Sequence, residues 1–469
     1  MAWGTQLNYL RRGTTGESAQ VDDTQQSPEL RSTTASERES SGPVGRQPEL
    51  TRNQVRGFWA AWGGWALDGM DSFIYALVLV PALRELLPKS GISVNTATIG
   101  IYGSLLFSLF LVGWGLAMIW GPISDRYGRA RTLMLTILCF SLFTLLSALA
   151  TNIWALAIFR LLAGVGIGGE WSMGATLLSE EWPEQRRTMA AAWMHTGYYF
   201  GFFLAALANY FVGSHFGWRY MFVVGGTPAL LVGFFYKRLD EPIRWTTKRK
   251  ELGGWTVFRP LLAVFSPKYR RRTAFNSIYL LVSTIGLWGG SVYVPTAITY
   301  LAVKAGRGEL SAARLASYGT ALLSIGTILG ALMVPRIAER LGRKVNLAIF
   351  FAVMIVFISL GFGHVFYLET GALGWFMVCV FFLGVGGANF TVYSFWIPEQ
   401  YGTECRASAL AFTCNVGRFL GAGITFLVGA GIRHFQTLGV PVALTAFAFV
   451  AGILLLPFGE ETRGRPLPS

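Results

Sequence analysis

Four ionisable residues lie inside long apolar runs: Asp68 and Asp71 in WALDGMDSFIY, Glu170 in GVGIGGEW, and Arg418 in CNVGRFLGA. A charge at the centre of a membrane helix costs about 2.5–3.5 kcal/mol on insertion scales, so each one needs a reason. Asp68 and Asp71 are three positions apart and share one face of a helix. At a rise of ~1.5 Å per residue they lie roughly 14 and 18 Å from one end of their run, with Glu170 about 13 Å and Arg418 about 15 Å from the same surface. Three acids and one guanidinium at one depth, on three helices, imply a polar cavity near the middle of a hydrocarbon core about 30 Å thick. Two chemistries follow. A carboxylate in a partly dry cavity disfavours its charged form and can carry a proton in the working range. Asp68 or Asp71 is the first candidate for that role and Glu170 the third. Arg418 keeps its proton and offers a planar fork that matches a carboxylate. It is expected to anchor an anionic substrate, to neutralise Asp68 or Asp71 across an interface, or to alternate between the two.

The neutral candidates for the same cavity are Tyr75, His195, Asn276, Tyr279, Asn389 and Tyr393. His195 stands beside Tyr198 and Tyr199, and imidazole titrates near neutrality; a lone histidine, however, more often serves packing. About half of the asparagines and tyrosines are expected to hold helices together rather than touch a ligand.

The elements that position these groups are legible in the composition. The chain is 53% hydrophobic and only 14% charged, with a mean hydropathy of +0.46, and its apolar residues fall in runs of about 20, enough to cross a bilayer as a helix. Twelve spans are predicted: 58–83, 97–120, 132–150, 154–179, 188–212, 219–236, 273–299, 311–335, 345–365, 372–397, 405–430 and 438–458. The fold class is therefore an all-α membrane protein. Residues 1–52 form a polar tail without apolar periodicity, expected to be disordered and cytoplasmic, with no signal-peptide core. Residues 53–236 and 273–460 are the two six-helix parts, and 461–469 a short tail. The connection 237–272 carries eleven basic against three acidic residues, which holds it in the cytoplasm. Short loops on that side carry ten basic residues against six on the other, so both termini should face the cytoplasm of a multi-pass plasma-membrane protein. The net charge of +14 then orients spans and attracts anionic lipid rather than nucleic acid. The four cysteines lack CxxC or metal spacing, and the four histidines are too scattered for a metal site.

A charged turn, GPISDRYGRAR, joins the second and third spans. Asp125, Arg126, Gly128 and Arg129 recur 214 positions later as Glu339, Arg340, Gly342 and Arg343 in PRIAERLGRK. Trp182-Pro183-Glu184 recurs as Ile397-Pro398-Glu399, 215 positions on. Two landmarks at a nearly constant offset imply two pseudo-symmetric halves. Both turns resemble the loop signature of the major facilitator superfamily, and what the resemblance implies is the major facilitator fold, with these charged turns as two-state gating latches. Transporters of such build place the substrate between halves and rock one against the other. Arg160, followed by Gly164, Gly166 and Gly168, resembles the superfamily's fourth-helix pattern. It is open between a place in the proton relay and a structural tie at the outer end of the helix.

DGMD in the first span, GGEW in the fourth and EEWPEQRR after it are similar to the carboxylate–proton symporters, the group of sialic-acid, aromatic-acid and lactate-type permeases. That resemblance implies symport of an organic acid anion with protons, the proton being the coupling ion and no other cofactor needed. Its first-helix aspartates match Asp68 and Asp71, and its fourth-helix glutamate Glu170. The seventh span keeps Asn276 but lacks the pattern of fungal lactate permeases. DEPIRW (240–245) and GEETRGR (459–465) are similar to segments of sugar porters, which keeps a sugar–proton symporter as the alternative. A solute sensor built like a transporter is more remote, since it calls for a large folded extension. No nucleophile–base pair or metal cluster at one depth supports an enzyme. Partners are the small anion, protons and the bilayer, with the chain acting as a monomer.

Overall fold

Thr51 and Gln54 exchange side-chain-to-backbone hydrogen bonds in a capping box that starts the first helix at Arg52. The computed structural model describes residues 49–235, 238–252 and 256–468. The expected disordered tail lies outside them up to residue 48, while Arg52 already belongs to the first helix.

Among the described residues twelve helical spans follow in order, several interrupted. They are α1 (Arg52–Lys89), α2 (Thr96–Leu116, continued as Trp120–Tyr127), α3 (Arg129–Ser147), α4 (Ile153–Glu181), α5 (Arg187–Ala208) and α6 (Trp218–Gly226 with Ala229–Phe235) in the first half. The second half holds α7 (Arg270–Gly289 with Val294–Lys304), α8 (Glu309–Leu341), α9 (Arg343–Gly363), α10 (Ala372–Gly387 with Asn389–Trp396), α11 (Arg406–Phe435) and α12 (Gly439–Leu444 with Ala446–Leu455). Among the described residues, eight of these twelve, all but α5, α6, α7 and α11, are long and apolar enough to cross a membrane by length and composition alone. α1, α4, α7 and α8 overrun their predicted spans at both ends, because caps and charged turns continue the backbone hydrogen bonding beyond the hydrocarbon.

The two halves repeat one another in detail. Gly128 (φ 125°) and Gly342 (φ 92°) are the whole turn between α2 and α3 and between α8 and α9. In both, a carboxylate stands where a Cβ would be: Glu241 Oε1 2.3 Å and Glu461 Oε2 2.7 Å from the ideal position. Those acids accept backbone N–H groups of the next helix, Glu241 from Arg129, Ala130 and Arg131 and Glu461 from Arg343 and Lys344, which satisfies orphan donors at a positive helix end. Helix packing repeats too. A Cβ on Gly113 would stand 2.0 Å from the Leu161 carbonyl oxygen, and one on Gly326 2.1 Å from that of Phe381. The backbones of α2 and α4, and of α8 and α10, therefore touch.

The connection after α6 is more ordered than a polar linker. It forms helices Ile243–Leu252 and Arg259–Val264, and its Trp245 is buried, donating to the Asp125 carbonyl at 3.0 Å.

Candidate functional site

A cavity of about 330 Å³ lies between the halves. Trp65 and Phe73 of α1, Phe110 of α2 and Tyr198 of α5 wall one side, and Phe390 of α10 and Arg418 of α11 the other. Its floor is aromatic. Trp65 stacks on Trp171 with centroids 6.2 Å apart, and the Trp171 indole donates across the halves to Ser394 Oγ at 3.0 Å. Asn415 adds a second tie, to the Gly168 carbonyl at 3.3 Å.

Arg418 lies with its guanidinium carbon 4.0 Å from the Trp114 ring centroid, a cation–π contact. Its hydrogen bonds go to the Cys414 carbonyl (3.3 Å) and Asn415 Oδ1 (3.4 Å). Among the described residues it forms no ion pair, so it is not locked to Asp68 or Asp71. Asp68 is fully buried, and among the described residues no donor reaches either of its oxygens. The charges that act on it are Glu170, Asp71 and Arg418. Asp71 differs from its neighbour: Arg160 lies 3.3 Å away and also donates to Ser147 (3.1 Å) and Thr144 (2.9 Å). Arg160 thus ties α1, α3 and α4 together. Glu170 accepts from Thr136 at 3.2 Å through one oxygen, while the other presses on Gly64 of α1 and has no partner.

Of the neutral candidates, His195 lines the cavity, buried and with both ring nitrogens unpartnered. The others stand elsewhere. Tyr75 is behind Phe110, stacked at 5.8 Å, with its hydroxyl unpartnered. Tyr279 donates to the Leu455 carbonyl (2.8 Å) and joins α7 to α12, and Tyr393 bonds Ser283 and the Tyr279 carbonyl. Asn389 bonds back to Gly386 within α10. Asn276 pairs with Gln400 and Tyr401, near the face that carries the loop motifs. These four side chains are engaged in packing α7, α10 and α12 because a buried amide or hydroxyl must find a partner where it is.

On the motif face the halves are tied by charge. Arg129 pairs with Asp125 (2.7 Å) and Glu180 (2.9 Å) and donates to the Thr403 carbonyl of the other half (2.8 Å). Asp125 accepts the Ala407 and Ser408 N–H groups at the start of α11. Glu180 also pairs with Arg406 (2.6 Å), and Arg187 reaches Glu399 (3.7 Å), so each half sends an arginine to an acid of the other. Glu399 in turn holds Arg343 (3.0 Å), which also meets Glu339 (3.3 Å). Arg126 lies beside Tyr127 and Arg340 is exposed; among the described residues neither joins an ion pair. This face is closed.

The family model described as Major Facilitator Superfamily matches residues 61–425. The chain belongs to that superfamily. It is a multi-pass membrane protein and a secondary transporter, not an enzyme. It is 30% identical over 421 residues to a probable 4-methylmuconolactone transporter of Cupriavidus pinatubonensis, covering 88% of this chain and 91% of that protein. It is 29% identical over 394 residues to a gallate transporter of Pseudomonas putida, covering 78% and 84%. The solved proton:xylose symporter XylE, bound to 6-bromo-6-deoxy-D-glucose, superposes with a TM-score of 0.71 at 18% identity, covering 88% of this chain and 98% of its own. That likeness gives the fold alone.

Sequence reading did not single out Glu180, Glu241, Arg406 or Glu461, which organise the charged network on the motif face of this major facilitator chain. A signal existed for two of them: Glu241 and Glu461 lie in DEPIRW and GEETRGR, the closing segments of each half. Glu180 was hidden by the repeat itself. The constant offset matches Glu399 with Glu184, yet Arg129 binds Glu180, one helical turn earlier.

Proposed function

We propose that the protein carries an organic carboxylate anion together with a proton, by alternating access. The observation that carries this reading is Arg418: a guanidinium without an acid partner among the described residues, facing a cavity walled by aromatic rings. A carboxylate would take the fork that the protein leaves open, and the flat apolar walls suit an unsaturated or aromatic acid. The transporters of 4-methylmuconolactone and gallate among the relatives agree with that class. A sugar would need a ring of paired donors and acceptors, and walls made mainly of aromatic faces leave its hydroxyls poorly satisfied.

Asp68 is the proton carrier, because a carboxylate with no donor is costly when charged and settles by taking a proton. Glu170 is the next group along, and His195 reads the substrate from the opposite wall. The motif face is cytoplasmic, placed there by the basic loops, and the parts 53–236 and 273–460 rock as bodies about 237–272. In the inward step, Asp68 is protonated from outside, the anion docks on Arg418, the charged ties break, and both are released.

Uptake into proteoliposomes under an imposed pH gradient, with radiolabelled aromatic acids, aliphatic acids and sugars, tests this. Accumulation of an aromatic or unsaturated acid driven by an inward proton gradient is expected. Uptake of sugars in preference to acids would reject it.

A further inference from the structure

A second cavity, about 460 Å³, opens on the motif face where the central connection enters α7 and the chain leaves α12. It takes no part in the transport path described above. Lys268, Arg271 and Arg272 line it together with Phe275, Phe458 and Glu460. Asn276, expected in the substrate cavity, is at its back with Gln400. The three cations are not equivalent. Arg272 is committed: it pairs with Glu460 and donates to the Gln400 carbonyl at 2.7 Å. Glu460 is shared further with Arg465 at 2.8 Å. Lys268 rests over the Tyr269 ring and Arg271 beside Phe275, and among the described residues neither forms an ion pair. Both are exposed. Glu404 acts on Lys268 without pairing with it, and the lining itself carries Lys268, Arg271 and Arg272 against Glu460 alone, an excess of positive charge.

Its walls are of two kinds. The cationic rim faces water, while Phe275 and Phe458 stack at 5.9 Å to form an apolar side, and Phe458 is 55% exposed at the end of the last membrane span. Cations above aromatic surface at the water–hydrocarbon boundary match a molecule that is anionic at its head and apolar below. The geometry points to a binding site for one anionic phospholipid, its phosphodiester held by Lys268 and Arg271 and its glycerol and upper acyl segments against Phe275 and Phe458. The size fits, since small-ligand sites run from about 300 to 1,000 Å³. The ligand also has a route to the gate. Arg272 grips the carbonyl of Gln400, next to Glu399, which receives Arg187 from the other half and Arg343 from its own.

Native mass spectrometry of the detergent-purified full chain, titrated with phosphatidylglycerol or with phosphatidylcholine, is the test. One tightly held phosphatidylglycerol is expected, bound at least ~10-fold more strongly than phosphatidylcholine. Lys268→Gln with Arg271→Gln should bring the two lipids to parity. The charge-matched pair Arg249→Gln with Lys250→Gln, on the loop helix, should leave the preference intact. Both altered side chains are exposed, and an unchanged melting curve verifies the fold. Undiminished phosphatidylglycerol preference in the Lys268/Arg271 variant would overturn the site. So would equal loss in the control pair, or displacement of the lipid by inorganic phosphate at matching concentration, which would make the ligand a free anion.

Discussion

The Asp71 carboxylate lies 3.3 Å from the Arg160 guanidinium, while Asp68, one turn away on the same helix, is buried without a donor. Two acids that share a helix face thus have different work. Asp71 compensates a buried cation that also bonds Ser147 and Thr144. Asp68 has no such commitment among the described residues.

Asp68→Asn should abolish proton-driven accumulation while leaving substrate exchange and thermal stability near those of the parent. Asp71→Asn should instead destabilise the fold, since an unpaired buried Arg160 costs about 3–5 kcal/mol. Paired measurements of melting temperature and gradient-driven uptake separate the two. Accumulation that survives in Asp68→Asn would remove Asp68 from the coupling step.

Arg418→Lys keeps the charge but loses the planar fork and the face-on contact with Trp114. The KM for a carboxylate substrate should rise about 10- to 100-fold, the size of a lost charge-assisted hydrogen bond worth ~1.5–3 kcal/mol. Concentration-dependent uptake reads it directly. An unchanged KM would mean that the anion docks elsewhere.

Glu180→Gln leaves Arg406 without its carboxylate and Arg129 with Asp125 alone, which weakens the closed motif face. The population open to that side should grow. Cys405 is fully buried beside this network and is a built-in reporter. With Cys139, Cys379 and Cys414 replaced, its labelling by a water-soluble maleimide should speed up by at least ~10-fold, the effect of ~1.4 kcal/mol on the closed state. Equal labelling rates would show that Glu180 does not hold the gate.

Glu461 lies outside the spans and gives a pH signature. Burial pushes its carboxyl up, but the backbone N–H groups of Arg343, Lys344, Arg463 and Thr462 outweigh that and hold it below the ordinary value of 4.5. A lowered folded value means that its stabilisation is complete at neutral pH and disappears as pH falls below 4.5 and through the folded value. Glu461→Gln should therefore melt below the parent at pH 7, with the gap narrowing in acid. A gap that stays constant down to pH 3 would assign the effect to packing instead.

Sequence alone determined the twelve spans and the two repeated halves. Hydropathy sets the spans, and the offset of Asp125–Arg129 to Glu339–Arg343 sets the halves. None of these needs a contact to be known. Tertiary structure decided how the groups are partnered. Nothing in DGMD distinguishes Asp68 from Asp71; Arg160 on another helix does. Tyr279 and Tyr393 carry the same hydroxyl as Tyr198, yet they bond α7, α10 and α12 while Tyr198 walls the cavity. The offset matches Glu399 with Glu184, yet Arg129 pairs with Glu180, because side-chain reach across an interface depends on helix rotation as well as on position along the chain. Hydrogen bonds and ion pairs act over about 3 Å, and only the packed helices bring groups within that distance.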